Sequence, residues 1–405
     1  MKAQKNKTGL AWRFDHRERR YILEVLDSGF ASSTSGSMNS RLEKAFAKRF
    51  NCNFAITFNS GTTTLHAALE AFRVGYGDEV IVTPLTVISC MNAILYCGAI
   101  PIFADINPDT FLIDPEDIKR KITSKTKAIM PVHLYGAVCD MTEIMKIAKN
   151  HNLMVLEDCA QCYLGTHKGE LAGAIGDVGS WSFENSKHLT CGDGGIVTVN
   201  NENLADRIRK LNCQGFRTAT AISGKIRVSK DTFQDPKFKR HDSFGYMYRL
   251  PEVAAAMALG QLEKISWFID KRRKMAEMYT KVIKDNNCKY LIAQKNHTKL
   301  DTNSYYAFAM TFEHEDVTWQ QFRKKHIENG GDGIYAAWTL CYKEDSIADI
   351  KHRLLKMKLK FPDDINCPIA EDIQPKIMQL TTNQRDEEEM QIQAEALDKT
   401  INYFN

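Results

Sequence analysis

The sequence predicts an α/β protein, with a large domain built on a mostly parallel central sheet and a smaller C-terminal α+β domain. Short apolar runs alternate with helical patterns over residues 40–250, the order that builds parallel sheets. The texture changes at Pro251, after which the elements are shorter and less regularly alternated. A chain of 405 residues also has room for two or three domains of ordinary size. These observations place a large domain over residues 1–264 and a small one over 265–405.

The elements follow in order. Phe54–Phe58 reads as a strand, and Leu65, Ala68, Leu69 and Phe72 then fall on one helical face. Further strands are expected at Glu79–Thr83, Pro101–Ala104, Lys127–Val132, Leu153–Glu157, Ser180–Phe183 and Gly195–Val199. Helical stretches between them are Val87–Tyr96, Pro115–Lys121, Met141–His151 and Asn203–Leu211. Pro251–Arg273 reads as one long helix, because Ala254, Met257, Ala258, Gln261, Leu262 and Ile265 are spaced for a single packed face. A charged helix over Asp386–Phe404 closes the chain. No internal repeat or low-complexity tract interrupts this order.

Composition removes whole classes of function. The hydrophobic fraction of 43% and charged fraction of 26% are those of an ordinary globular protein. Lys plus Arg number 54 against 50 Asp plus Glu, a net charge of +4, too even for a dedicated nucleic-acid binder. The most apolar stretch, Cys90–Ala104, is interrupted by Asn92, Gly98 and Pro101, so no membrane span is expected. Met1–Trp12 is polar and lysine-bearing, without the apolar run of an export signal. Eleven cysteines cannot all pair within the chain. Reduced thiols and a cytoplasmic location are therefore expected.

Four features carry chemistry. The first is Asn59-Ser60-Gly61-Thr62-Thr63, between a strand end and a helix start. Free amides, the helix dipole and hydroxyls make a phosphate seat there, although the commoner role of such residues is a cap and turn. The second is Glu157-Asp158-Cys159-Ala160-Gln161, after the apolar run Leu153–Leu156. A carboxylate at the carboxyl end of a strand can bind a protonated ring nitrogen, or merely cap the next helix. Cys159-x-x-Cys162 has no second cysteine or histidine pair at ligand spacing, so no metal is expected.

The third feature is Ser182-Phe183-Glu184-Asn185-Ser186-Lys187, followed by Gly192-Asp193-Gly194-Gly195. A lysine in a buried pocket can lose its proton and form a Schiff base with an aldehyde, while the glycines permit close backbone approach. A lone lysine is usually a solvated surface charge; its company here argues otherwise. The fourth, Gly245-Tyr246-Met247-Tyr248-Arg249-Leu250-Pro251, enters the long helix and by itself reads as core. A phosphate seat, an acid and a lysine, in that order, match what pyridoxal phosphate requires of a protein.

With these motifs the chain resembles the DegT/StrS-type aminotransferases, pyridoxal-phosphate enzymes of fold type I in the aspartate aminotransferase superfamily. The resemblance runs from Ser28-Gly29 and Leu42–Phe50 through Asn59–Thr62, Thr83-Pro84 and His133-Leu134-Tyr135-Gly136. It continues through Glu157–Gln161, Ser182-Phe183, Lys187 and Gly192–Gly195 to Tyr248-Arg249 and Cys367-Pro368. It implies a Schiff base and proton transfer at Lys187, a pyridinium partner in Asp158, and Gln161 near the phenolic oxygen of the cofactor. Thr62, Thr63 and Ser182, with Gly61 beside them, are implied to hold the phosphate. It also implies a homodimer with shared active sites, L-glutamate as amino donor, and a keto sugar on a nucleotide as acceptor, in amino sugar and polysaccharide biosynthesis.

Two departures stand out. Where the family usually has an aromatic residue over the ring, this chain has Val87, which offers less contact and no π overlap. Where the family commonly has an asparagine reaching the partner's phosphate, it has Met247, whose thioether cannot replace an amide. These departures keep open a cyclitol ketone or a small phosphorylated ketone as acceptor; a lyase-like or regulatory relative without transaminase turnover is a separate alternative. Related dehydratases have histidine in place of the Schiff-base lysine; here Lys187 is present and His188 follows it as a structural neighbour or substrate contact. No G-x-G-x-x-G follows the first strand, which argues against a dinucleotide-binding dehydrogenase.

The net charge has an address. Residues 217–243 hold Arg217, Lys225, Arg227, Lys230, Lys237, Lys239 and Arg240 against Asp231, Asp235 and Asp242, which is 7 − 3 = +4 and equals the excess of the whole chain. Such a run is commonly a solvated loop; alternatively it is a basic lip that attracts an anionic acceptor. On the second view Lys237, Lys239 and Arg240 are candidate substrate contacts.

Overall fold

A computed structural model describes residues 9–226 and 228–405. Arg227 of the basic segment and the first eight residues of the polar N-terminal stretch lie outside the described residues. Among the described residues seven strands form the central sheet: β1 (Phe54–Phe58), β2 (Glu79–Val82), β3 (Ile100–Phe103), β4 (Thr126–Met130), β5 (Met154–Asp158), β6 (Val178–Ser182) and β7 (Gly195–Val199). Their order is β1-β7-β6-β5-β4-β2-β3. Four pairings are parallel, and only β7 runs against its neighbours β1 and β6. The strands read as continuous apolar runs because helices cover both faces of the sheet, and β6 and β7 are buried along their whole length.

The covering helices include α1 (His16–Asp27), α2 (Met38–Arg49), α3 (Gly61–Ala71), α4 (Ile88–Tyr96), α5 (Pro115–Lys121), α6 (Met141–His151) and α7 (Glu202–Asn212). Side-chain caps start several of them. Ser60 Oγ accepts from Thr63 N–H at α3, and Asp140 accepts from Glu143 N–H at α6. Each cap satisfies an amide that the helix itself cannot.

The expected long helix over Pro251–Arg273 is two helices, α8 (Glu252–Leu262) and α9 (Ile265–Asp285). Lys264 leaves helical geometry at φ −119° and ψ 16°. Its ammonium turns back to Asp15 Oδ2 at 3.1 Å, Glu18 Oε1 at 2.8 Å and the Arg13 carbonyl at 2.7 Å. Apolar spacing continues across the break, so periodicity alone could not reveal it; the polar junction decides where the axis changes.

A second core forms around Met275, Tyr279, Phe308, Met310, Phe322 and Leu397. Its antiparallel sheet comprises β8 (Leu291–Ala293), β9 (Phe308–Phe312), β10 (Tyr335–Ala336) and β11 (Ile377–Leu380) in the order β8-β9-β11-β10. Helix α9 and the terminal helix α10 (Glu387–Phe404) pack together beside it, α10 being capped by Asp386. Leu340, Leu354, Phe361 and Cys367, between β10 and β11, pack into the first core instead. Among the described residues no helix is long and apolar enough to cross a membrane. All eleven cysteines are unpaired, and eight are buried.

Candidate active site

At the carboxyl ends of β5 and β6 two adjoining cavities, each of about 430 Å³, share walls at Val87, Ser186, Tyr306 and Trp338. This is where an open α/β sheet binds its ligands. The antiparallel course of β7 sets Gly195 opposite both Phe58 of β1 and Ser182 of β6. A Cβ on Gly195 would lie 2.7 Å from the Ser60 and Trp181 carbonyl oxygens. Glycine there lets the turn after β1 lie against the end of β6.

That turn opens α3, whose first amides have no intrahelical acceptor. Gly61, Thr62 and Ser182 all line the inner cavity. A Cβ on Gly61 would come within 2.7 Å of Ser182 Cβ, so close approach, rather than an unusual φ, demands the glycine. Thr62 Oγ1 donates to Ser89 Oγ at 3.0 Å. The Thr64 and Ser180 hydroxyls, 2.6 Å apart, tie the helix to β6. Thr63 is turned away: its hydroxyl donates within its own turn, to Asn59 Oδ1 at 2.8 Å and the Ser60 carbonyl at 2.9 Å, and it does not line the cavity.

Asp158 ends β5 and is 3% exposed. Its Oδ1 accepts from Ala160 N–H at 2.9 Å. The preceding Glu157 faces the other side of the sheet, where its carboxylate accepts three amides, from Gly173, Ile175 and Gly176. It also accepts the Nε2–H of His133 at 3.0 Å, a tautomer fixed because His133 Nδ1 accepts from Cys139 N–H. Both side chains are wholly buried. Glu157 therefore anchors the strand that presents Asp158, and the group His133, Glu157 and Cys159 is occupied by its own hydrogen bonds. Gln161 lines the outer cavity and accepts from Tyr135 N–H through Oε1 at 2.9 Å.

Lys187 projects from the loop between β6 and β7 into the inner cavity and is 9% exposed. Its Nζ lies 4.9 Å from the centre of the Tyr306 ring. The loop is held from behind by Arg13, whose guanidinium donates to the carbonyls of Asn185 (3.2 Å), Lys187 (2.7 Å) and His188 (2.7 Å). Burial lowers the Arg13 pKa to about 10. His188 points away from both cavities. It is fully buried between Tyr163 and Tyr306, with its Nε2 at 3.1 Å from the Ser304 carbonyl. Burial, with Arg272 nearby, holds its pKa well below the usual histidine value.

One cavity thus gathers Gly61, Thr62, Asp158, Ser182 and Lys187, with Val87 on a shared wall and Gln161 next door. Hydroxyls and helix-start amides, a carboxylate and an amine in one chamber fit the phosphate, ring nitrogen and aldehyde of pyridoxal phosphate. Lys237, Lys239 and Arg240 are not brought to the cavities of this chain; Arg240 stacks on Phe233 and donates to its carbonyl at 2.6 Å. His188 is likewise not placed to touch a substrate from its buried position.

Sequence reasoning missed Tyr306, which lines both cavities and whose hydroxyl is 2.8 Å from Ser186 Oγ. It also missed Arg272, a buried cation on the outer cavity whose pKa burial lowers to about 9, and Trp338, 57% exposed at the shared wall. The run Asn303-Ser304-Tyr305-Tyr306 offers only an aromatic pair as a signal.

Comparison with known structures fixes the class. The chain superposes on the X-ray structure of the aminotransferase from Psychrobacter cryohalolentis with a TM-score of 0.84 and 28% identity, covering 96% of this chain and 98% of that one. It superposes on a GDP-4-keto-6-deoxymannose-3-dehydratase with bound GDP-perosamine with a TM-score of 0.81 and 25% identity, over 95% and 98% of the two chains. The architecture is that of the fold-type-I aminotransferases. Residues 13–385 match the DegT/DnrJ/EryC1/StrS aminotransferase family, and the chain belongs to that family. Among its relatives are GDP-perosamine synthases of Escherichia coli O157:H7, 41% identical over 66% of this chain and 68% of theirs, and of Caulobacter vibrioides, 40% identical over 66% and 67%.

Proposed function

We propose that this aminotransferase moves an amino group from L-glutamate to a keto sugar carried on a nucleotide, using pyridoxal 5′-phosphate held beside Lys187. The observation that carries this reading is the meeting of Lys187, Asp158 and the α3 amides in one cavity, in a chain similar to GDP-perosamine synthases.

When bound, pyridoxal phosphate supplies an aldehyde that condenses with amines and a ring that takes up the electron pair of a broken C–H bond. The chain's residues do the rest. Gly61 and Thr62 at the start of α3, with Ser182, bind the phosphate through amides and hydroxyls. Asp158 would accept the ring N–H and favour the protonated nitrogen. Val87 would offer the ring an aliphatic surface, and Gln161 would serve its phenolic oxygen. The Lys187 amine would be the attachment point and then the base, its Nζ carrying a proton between a substrate carbon and the C4′ carbon of the cofactor. Tyr306, beneath that amine, limits the access of water. The outer cavity, with Tyr335, Trp338 and Arg272 on its walls, receives the acceptor.

The working form is proposed to be a cytoplasmic homodimer in which the basic segment and the exposed Met247 of one subunit reach the site of the other. The test is a coupled assay of the purified, cofactor-loaded chain with glutamate and a GDP-linked 4-keto-6-deoxy sugar. Amino sugar and 2-oxoglutarate should form in equal amounts, and Lys187→Ala should abolish both. Turnover that persists in Lys187→Ala would sink the reading. A preference for cyclitol ketones or small phosphorylated ketones would move the acceptor to that class, the alternative raised by Val87 and Met247.

A further inference from the structure

Asp158 is held by a sulfur that does not itself line the inner cavity. Cys90, on α4, has no exposed surface, and its Sγ lies 3.0 Å from Asp158 Oδ2. The Thr86 hydroxyl is 3.3 Å from the same sulfur. A thiol carries a single proton. Donated to the carboxylate, that proton leaves the sulfur as an acceptor, so the order is Thr86 O–H to Cys90 Sγ and Cys90 S–H to Asp158 Oδ2. Thr86 is anchored in turn, its carbonyl accepting from the Cys341 thiol at 3.4 Å. Burial, with Asp158 beside it, pushes the Cys90 thiol well above its ordinary range, so the proton needed for donation stays on the sulfur.

The two oxygens of Asp158 are therefore each engaged once from within the protein, Oδ1 by Ala160 N–H and Oδ2 by Cys90 S–H. A carboxylate offers about four acceptor sites, which leaves two for a ligand. A thiol is a weak donor. It fixes the side-chain rotamer while withdrawing less charge from the carboxylate than a hydroxyl or an amide would.

We infer that Cys90 is a positioning residue for Asp158: its thiol, backed by Thr86, sets the direction of the carboxylate that meets the cofactor's ring nitrogen. The inference rests on the cofactor reading proposed above. No other residue in the cavity needs to change for it to operate.

The experiment has two readouts apart from turnover. The first is the S–H stretching band of Cys90 in the infrared, isolated as the difference between the wild-type chain and Cys90→Ser. It should lie below the bands of the other thiols, move to higher frequency when pyridoxal phosphate binds and draws on the carboxylate, and lose its displacement in Asp158→Asn. The second is the dissociation constant for pyridoxal phosphate, followed by fluorescence. Cys90→Ala and Cys90→Val should each weaken binding about three- to tenfold, less than for an ordinary hydrogen bond to a charged group because a thiol is a weak donor, while Cys90→Ser, which restores a donor, recovers most of it. Because valine fills the space without donating, recovery by valine would overturn the inference, as would a Cys90 band indifferent to pyridoxal phosphate. A wild-type chain that takes up no pyridoxal phosphate would overturn the cofactor reading itself, and the band position in the free protein would still test the Cys90–Asp158 bond.

Discussion

The guanidinium of Arg13 donates to the carbonyl oxygen of Lys187 at 2.7 Å across 174 residues of sequence. The same nitrogen serves His188, and its neighbour serves Asn185. A loop without regular secondary structure is thereby given one rigid support where the amine must be aimed. Arg13→Ala should leave three carbonyls without this donor and destabilise the protein by about 2–4 kcal/mol. It should also weaken pyridoxal phosphate binding severalfold, with Arg13→Lys intermediate. Denaturant unfolding and a cofactor titration check this; an unchanged affinity in a folded Arg13→Ala chain would show that the loop holds its own shape.

Gly61→Ala tests the packing at the start of α3. The added carbon would sit 2.7 Å from Ser182 Cβ and 3.1 Å from its Oγ, forcing the turn away from β6 at about 1–3 kcal/mol. Cofactor affinity should fall with it. Gly75→Ala, where a Cβ meets nothing within 4 Å, serves as the control and should change neither property.

Acid stability should report on His326. This side chain is fully buried, and burial lowers its pKa to about 4. The unfolded chain takes up a proton there below about pH 6.5, while the folded chain resists until about 4. Its contribution to stability is therefore fully present above pH 6.5 and is lost as the pH falls toward 4, over a range on the order of a few kcal/mol. His326→Leu should flatten the slope of unfolding free energy against pH in this window. A slope unchanged by the substitution would place the effect elsewhere.

Reversing charge at Lys237 and Lys239, both exposed, should raise the KM for an anionic acceptor roughly three- to tenfold through lost electrostatic attraction and spare the KM for glutamate. Steady-state kinetics at two salt concentrations would separate the two substrates. An equal rise for both would return the segment to an ordinary solvated loop.

Much of this architecture was legible in the chain. The bounds of β1, β7, α5 and α6 fall where apolar period and capping residues put them, because these elements are specified by their own neighbours. Lys187 and Asp158 stand where the order of strands puts them, Asp158 as the last residue of β5 and Lys187 in the loop after β6, and both line the inner cavity. What could not be read is what the fold brings from afar. Cys90 meets Asp158 across 68 positions, Tyr306 meets Ser186 across 120, and neither pair leaves a periodic mark. The break at Lys264 was hidden because the apolar stripe runs through it unbroken while the cause lies with Asp15 and Glu18 on another helix. His188 shows the converse, since adjacency to Lys187 suggested a substrate contact and the backbone turned it inward.

The junction at Lys264 has a mechanical consequence. Arg13 grips the lysine loop with its side chain, while its own carbonyl oxygen is gripped by Gln261 and Lys264 at 2.9 and 2.7 Å. One residue thus acts as a strut between the reactive amine and the bend from which the small module departs. A displacement of α9 about the bend would therefore reach the loop that carries Lys187 by way of Arg13.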